Sequence, residues 1–447
     1  MIRKLLRRVF GTGAPATAAD GLPEPALIPL ARHGIRRDAI SPAAAKVVGG
    51  LQEAGFKAFV VGGAVRDLIA GITPKDYDVA TNATPEQTRA VFRRSRIIGR
   101  RFQIVHVMFG VETIEVSTFR ALHDADTQTD EHGRVLRDNI FGTQAEDAMR
   151  RDFTINALYY DPATETVIDY QHGVADLHQK TLRMIGEPRA RYREDPLRML
   201  RAVRLAAKLG LSIEPAARAP IREMAALLEN LPPSRLFDEM LKLLLSGCAI
   251  KCLRQLRDEG LHHGLLPLLD VILDQPLGER FVMLALADTD ARVHAGKPVS
   301  PGFLFATLLW HEVLADWAQR KGAGERPIPA LHEAMSEVLE KQCEKLAITR
   351  RIAGDIKDIW LLQPRFDNRA GKRALRLLEQ PRFRAGYDFL LVRARSGEVP
   401  QESADWWSNF IAAEPEQRLA LLEPDPAKRK RRRRKSPAAT AAAGDAE

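Results

Sequence analysis

Asp76 and Asp78, one residue apart at the close of "VGGAVRDLIAGITPKDYDVAT", have the spacing that most directly suggests chemistry. Along a strand, residues two apart point to one side, so "DYD" sets both carboxylates on one face. Acidic side chains that close repel each other unless a cation lies between them. Magnesium is the expected cation, because it takes hard oxygen ligands and bridges carboxylates to substrate phosphates. Alone, such a pair reads as a solvated strand start. Upstream, however, Gly62 and Gly63 follow the apolar run "AFVV", with Arg66 and Lys75 before the acidic pair. Two residues without side chains let backbone amides approach a ligand, and a helix starting near Ala64 favours anions. The turn lacks the GK[ST] ending of a Walker loop and the GxGxxG of dinucleotide sites. Both features together predict a phosphate chain and metal ions held side by side.

A site with two metal ions usually takes a third acid from a neighbouring strand. Glu115, in "TIEVSTFR", lies in an alternating run where Ile114, Val116 and Thr118 face the other way. Asp152, in "RRDFTINALYY", is the second candidate, flanked by Arg150 and Arg151. Glu115 pairing with Arg120, and Asp152 capping a helix or bonding a ribose hydroxyl, stand as alternatives. Further on, "REDPLRMLRAVRLAAKLG" spells a helix with Asp195 as N-cap, Pro196 in the first turn and Gly210 at the stop. Leu197, Leu200, Val203 and Ala207 form an apolar stripe; Arg198, Arg201, Arg204 and Lys208 form a cationic one beside it. A cationic stripe is ordinarily solvated. Here it adjoins the end of the α/β domain, where triphosphate charge needs neutralising. Asp195 and Arg198 also offer an acceptor and a bidentate donor for a base edge.

The elements that must position these groups are short. "FKAFVVGG", "YDVAT", "IVHVMFG", "TIEVSTF" and "TINALYY" read as strands, with helices such as "TPEQTRAVFR" between them. That pattern predicts one α/β domain from Phe56 to about Tyr170, preceded by a helix that Ser41 caps and Pro42 begins. After about Ile185 the spacing turns helical, as in "SRLFDEMLKLLLSG". The expected division is a flexible extension over 1–40, a head over 41–185, and a helical neck that holds RNA and nucleotide over 186–275. A helical body and tail follow over 276–423, then a basic tail over 424–447. Within the first part, 11–30 is Gly-, Ala- and Pro-rich and reads as linker, and "MIRKLLRRVF" as a frayed terminus, not a secretory signal. Leu122 to Asn139 reads as a mobile loop.

The 447 residues exceed what one core organises, and no stretch reaches the ~20 apolar residues of a membrane span. Three cysteines, Cys248, Cys252 and Cys343, suit a reducing cytoplasm without a disulfide framework or zinc site. The net charge of +9 is unevenly spread: "KRKRRRRK" at 428–435 holds eight cations, leaving +1 for the rest. Lys428, Arg429, Lys430, Arg431, Arg432, Arg433, Arg434 and Lys435 are therefore the expected RNA-binding arm.

"GGAVRD", "DYD", "EVSTFR", "RRDFTINALYY" and "EDPLRMLR", in that order from Phe56 to Ile213, resemble the class II nucleotidyltransferases of the polymerase-β-like superfamily. That group contains CCA-adding enzymes and bacterial poly(A) polymerases. The resemblance implies an α+β fold: a small sheet-and-helix head followed by all-α neck, body and tail domains. It implies that Gly62, Gly63 and Arg66 contact the triphosphate and that Asp76 and Asp78 bind magnesium, two ions in all. Arg151 and Asp152 would hold the nucleotide, with Asp152 also a catalytic candidate; Asp195 and Arg198 would face the base, and Arg201 and Arg204 assist with phosphates. "IIGRRFQIVHV" and the basic tail look like the poly(A) polymerase branch, and His262-His263 lacks the spaced His and Asp of a phosphohydrolase. The implied activity is template-independent transfer of AMP from ATP to RNA 3′ ends, serving mRNA processing and decay, by a monomer whose protein partners the sequence does not name. A CCA-adding enzyme and an inactive RNA-binding protein are the alternatives.

Overall fold

The computed structural model describes residues 22–99, 103–122, 140–262 and 276–423. Two compact units divide the chain. One takes the chain up to Leu231 together with Arg254–Leu261; the other takes Pro232–Leu253 and the chain from His262 onward.

The first unit is built on a sheet of eight strands: β1 Ala26–Pro29, β2 Ala58–Val61, β3 Asp78–Thr81, β4 Ser95–Ile98, β5 Ile104–Phe109, β6 Glu112–Thr118, β7 Leu158–Asp161 and β8 Thr166–Asp169. Their order is β1-β8-β7-β2-β3-β6-β5-β4, antiparallel throughout except for the parallel pair β3 and β6. β2, "AFVV", is buried on both faces, as its unbroken apolar run requires. On one face Val60, Val79, Val105, Val107, Ile114 and Val116 pack with Val47, Val48 and Leu51 of the Pro42–Glu53 helix. Ser41 starts that helix by accepting from the Ala43 and Ala44 N–H groups. On the other face Phe59, Val61, Ala80 and Tyr159 pack with Phe119 and with Ala148 of the Gln144–Arg150 helix. Thr143 and Glu146 open that helix with a capping box.

The extension expected over 1–40 is shorter than the composition implies. Residues 26–29 are the edge strand β1, paired with β8, and Ile35 and Ile40 lie in the head core. Alternating exposure, Pro25 just before it and Pro29 as its last residue hid this strand, since an edge strand tolerates proline where a central one does not. Within "TINALYY" only the part from Leu158 is strand; Thr154–Asn156 is a 3-10 turn. β4 and β8 are further strands beyond those expected. The termini 1–21 and 424–447, and 123–139 of the expected mobile loop, lie outside the described residues.

The Leu197–Leu209 helix belongs to the first unit, so the neck expected over 186–275 is divided between the two units. Its buried face is broader than the apolar stripe alone, including Met199, Ala202, Leu205 and Ala206, while Ala207 is half-buried. The second unit is helical, and in it the buried Trp310 ring lies against both Trp360 and Phe389. Trp360 donates its indole N–H to the Ala306 carbonyl at 3.0 Å, and Trp407 donates to the Phe366 carbonyl at 2.9 Å.

Gly173, which opens the Gly173–His178 helix, allows that helix to seat against the Thr154–Asn156 turn. A Cβ there would lie 2.2 Å from the Thr154 carbonyl oxygen. Gly173→Ala is expected to cost about 1–3 kcal/mol and lower the thermal midpoint by roughly 2–12 °C. An unchanged midpoint would contradict this packing.

Candidate active site

The double glycine and the acidic pair meet because β2 and β3 run antiparallel. The C-terminal end of β2 therefore adjoins the N-terminal end of β3, where Val61 pairs with Asp78. Gly62 leaves the strand with φ +74°, a conformation that favours glycine. A Cβ on it would stand 3.3 Å from Arg151 Nη1 and 3.6 Å from the Asn156 carbonyl oxygen, so the turn also needs the missing side chain for room.

Asp78 pairs in parallel register with Glu115 on β6, and Glu115 pairs with His106 on β5. Residues directly opposite share a face. Asp78, Glu115 and His106 thus form one lateral row, away from the face the Pro42–Glu53 helix covers. Glu115 is exposed, and its Oε1 stands 3.2 Å from His106 Nε2. Asp76 precedes β3 and is exposed like Asp78, while Tyr77 between them packs on the head core and donates its hydroxyl to the Ala39 carbonyl at 3.0 Å. Among the described residues no three His, Cys, Asp or Glu side chains converge into a closed metal cage. Two exposed carboxylates suit magnesium, which keeps waters and shares its shell with substrate phosphates.

Asp152 stands differently. Its carboxylate is buried, accepts from the Phe153 N–H at 2.8 Å and the Asn156 amide at 2.9 Å, and pairs with Arg201 at 2.8 Å. Burial alone would raise its pKa; the Arg201 guanidinium, the Asn156 amide and the Phe153 N–H together hold it below the ordinary value. Asn156 turns its Oδ1 to Arg66 at 2.5 Å, and Arg66 grips Asp67 through Nε and Nη2 at 2.8 and 2.6 Å. Lys208 reaches the other Asp67 oxygen at 2.8 Å. A continuous polar ladder, Lys208–Asp67–Arg66–Asn156–Asp152–Arg201, therefore ties the Gly63–Ile69 helix, the double-glycine helix, to the Leu197–Leu209 helix.

Arg151 is held in a second buried set. Its Nε and Nη2 donate to Asp147 Oδ2 at 3.2 and 2.9 Å, and Tyr159 donates to the same oxygen at 2.7 Å. Burial opposes the Asp147 charge, but Arg151 and the Tyr159 hydroxyl outweigh it and keep the carboxyl low. The Arg151 Nη1 points to the Asn156 carbonyl at 3.4 Å, beside the Gly62 turn.

Asp195 does not cap the Leu197–Leu209 helix as expected. It closes the preceding Pro188–Glu194 helix, and Pro196 holds the N-cap position without a side-chain bond. Gly210 ends the helix in the left-handed conformation. Arg198 is buried, with Nη1 donating to the Arg191 carbonyl at 2.7 Å and Glu194 Oε2 at 2.9 Å. Arg204 is half-buried. The cationic stripe is thus largely an ion-paired seam. Sequence reasoning missed Asp67, Asp147, Asn156 and Tyr159; only the four-residue spacing of Asp147 and Arg151 carried a signal. The basic run Lys428–Lys435 and His263 lie outside the described residues. Among described helices none is long and apolar enough to cross a membrane.

Three family descriptions match along the chain in order. They are "Poly A polymerase head domain" over 58–183, "Probable RNA and SrmB- binding site of polymerase A" over 210–273, and "Polymerase A arginine-rich C-terminus" over 323–438. Poly(A) polymerase I of Escherichia coli O6:H1 is 46% identical over 440 residues, covering 95% of this chain and 93% of that protein. Poly(A) polymerase I of Haemophilus influenzae is 44% identical, covering 89% and 90%. Among solved structures, the Bacillus stearothermophilus CCA-adding enzyme in complex with CTP superposes with a TM-score of 0.56 at 25% identity, over 82% of this chain and 81% of that one. With a nucleotidyltransferase head, matched regions in order and near-full-length identity at this level, the chain belongs to the poly(A) polymerase family.

Proposed function

We propose that this polynucleotide adenylyltransferase transfers AMP from ATP to the 3′ hydroxyl of RNA without a template, releasing pyrophosphate. The observation that carries the reading is the register of Asp78 with Glu115, beside the Gly62 turn and two residues after Asp76. Asp76 and Asp78 would hold magnesium. Bound there, the metal supplies Lewis-acid stabilisation of charge at the α-phosphorus and lowers the pKa of the RNA hydroxyl. Glu115 accepts the hydroxyl proton at a carboxylate oxygen, and His106, 3.2 Å away, orients that carboxylate. The RNA 3′ oxygen bonds to the α-phosphorus as the bond to pyrophosphate breaks. Gly62 and Gly63 bring backbone close to the triphosphate, and Arg151 presents an edge beside them.

Asp152 and Arg66 serve as struts in this reading. A carboxylate already bonded to Arg201, Asn156 and the Phe153 N–H is a poor proton acceptor at neutral pH. Arg198, Arg201 and Arg204 set the cationic wall behind the site, with Asp195 and Arg198 nearest the base. The arm Lys428–Lys435 holds RNA by its backbone in a cytoplasmic setting.

Offered ATP alone, an unstructured RNA should acquire long tails; growth of a truncated tRNA ending after C, C and A would favour the CCA-adding reading instead. Asp76→Ala, Asp78→Ala and Glu115→Gln should each cut incorporation at least about a hundredfold while RNA affinity holds. Retained incorporation in Asp76→Ala would refute the mechanism. Arg66→Met leaves the buried Asp67 carboxylate with Lys208 alone and should cost about 3 kcal/mol in stability, read as a lower thermal midpoint. An arginine that served only the triphosphate would instead raise the KM for ATP at an unchanged midpoint. Neutralising Arg429 to Arg434 should weaken RNA binding and flatten the slope of log K against log salt by about 4, since six single-strand contacts each contribute about 0.7. Unaltered binding would remove the arm from the RNA site.

A further inference from the structure

Cys248 and Cys252 stand at the start of the Ala249–Asp258 helix with their sulfurs 3.7 Å apart. The Cys252 N–H donates to the Cys248 carbonyl at 3.0 Å, so the two residues close one α-turn. Helix geometry then places their Cα atoms about 6 Å apart, inside the roughly 4.4–6.8 Å span of disulfides. Closing the sulfurs to about 2.05 Å takes a side-chain rotation and a backbone shift that brings the Cβ atoms within about 4.5 Å. Cys248, which precedes the regular helix, is where that shift can occur. Asp290 anchors this helix start, accepting from the Ala249 N–H at 2.8 Å.

The two thiols differ in access. Cys252 is buried, whereas Cys248 is half-buried and reachable from solvent. Ser246 Oγ lies 3.2 Å from the Cys248 sulfur and 3.6 Å from the Cys252 sulfur. The hydrogen bond with Cys252, opposed by burial and aided by Ser246, brings the Cys248 thiol down to about 6. Cys343, on the Pro327–Lys345 helix, is exposed, but its thiol is pushed up by local burial and by the Glu340 carboxylate. Exposure without thiolate character makes Cys343 an internal control.

We propose that Cys248 and Cys252 form a peroxide-oxidisable dithiol, in which Cys248 is the attacking sulfur and Cys252 the resolving one. The Cys248 thiolate displaces hydroxide from hydrogen peroxide and becomes a sulfenic acid. The Cys252 sulfur then bonds to the Cys248 sulfur, and the sulfenic oxygen leaves as water. Two thiols and one peroxide become one disulfide and two waters. Because the resolving sulfur already sits 3.7 Å away and is shielded from solvent, closure outruns a second oxidation of Cys248. An external dithiol reductant reverses the bond by exchange.

The full chain is exposed to a small excess of hydrogen peroxide, quenched, alkylated and mapped by mass spectrometry. The expected product is two hydrogens lighter, with the Cys248 and Cys252 peptides linked and Cys343 alkylated. Cys248 should be consumed at least about tenfold faster than Cys343, and dithiothreitol should restore both thiols. In Cys252→Ser, Cys248 should accumulate added oxygen instead. Alkylation of all three cysteines at one rate, or oxidation confined to Cys343, would overturn the proposal; so would a stable Cys248 sulfinic acid in the unaltered chain.

Discussion

Strand register is the constraint on which the site depends. A shift of one residue between β3 and β6 would move Asp78 out of line with Glu115 and turn a whole alternating strand inside out. The head prevents that shift from both sides. Val79, Val116 and Ile114 are committed to the core under the Pro42–Glu53 helix, and Tyr77 is tied to Ala39 between the two acids. Like charges are thus gathered at one sheet end by apolar forces that act elsewhere in the same strands. In the reading proposed above, a cation and a phosphate chain would offset the repulsion between them.

Around that row, charge serves architecture. The polar ladder from Lys208 to Arg201 alternates donor and acceptor, so every buried ion has at least one opposite or dipolar neighbour. Buried pairs of this kind add little net stability over apolar packing, yet breaking one leaves a costly lone charge. Their use here is geometric: they hold the double-glycine helix, the Thr154–Asn156 turn and the Leu197–Leu209 helix in one arrangement. The Asp147–Arg151–Tyr159 set does the same for the guanidinium beside Gly62.

What could be read in advance followed from how far each interaction reaches along the chain. β2, β3, β5 and β6 were legible because burial writes alternation or an unbroken apolar run into adjacent residues. β1 was hidden because its half-exposed edge position permits prolines that look like linker. Asp76, Asp78 and Glu115 could be nominated from spacing, but that Glu115 lies directly opposite Asp78 is set by the β3–β6 register, a long-range fact. The stripe of Arg198, Arg201 and Lys208 showed its sign but not its partners; Asp67, the partner of Lys208, is 141 residues away.

The division of the chain into units has a consequence for synthesis. Arg254–Leu261 return to the first unit after Pro232–Leu253 have entered the second. There Glu259 accepts from Arg218 at 2.8 Å, and the Asp258 carbonyl accepts from Arg222 at 2.8 Å. A nascent chain that has emerged only as far as Leu231 still lacks these partners and the buried Leu256 and Leu261. The amino-terminal unit therefore cannot finish folding on the ribosome until part of its neighbour has been made, and a cut at Leu231 would release an incomplete body.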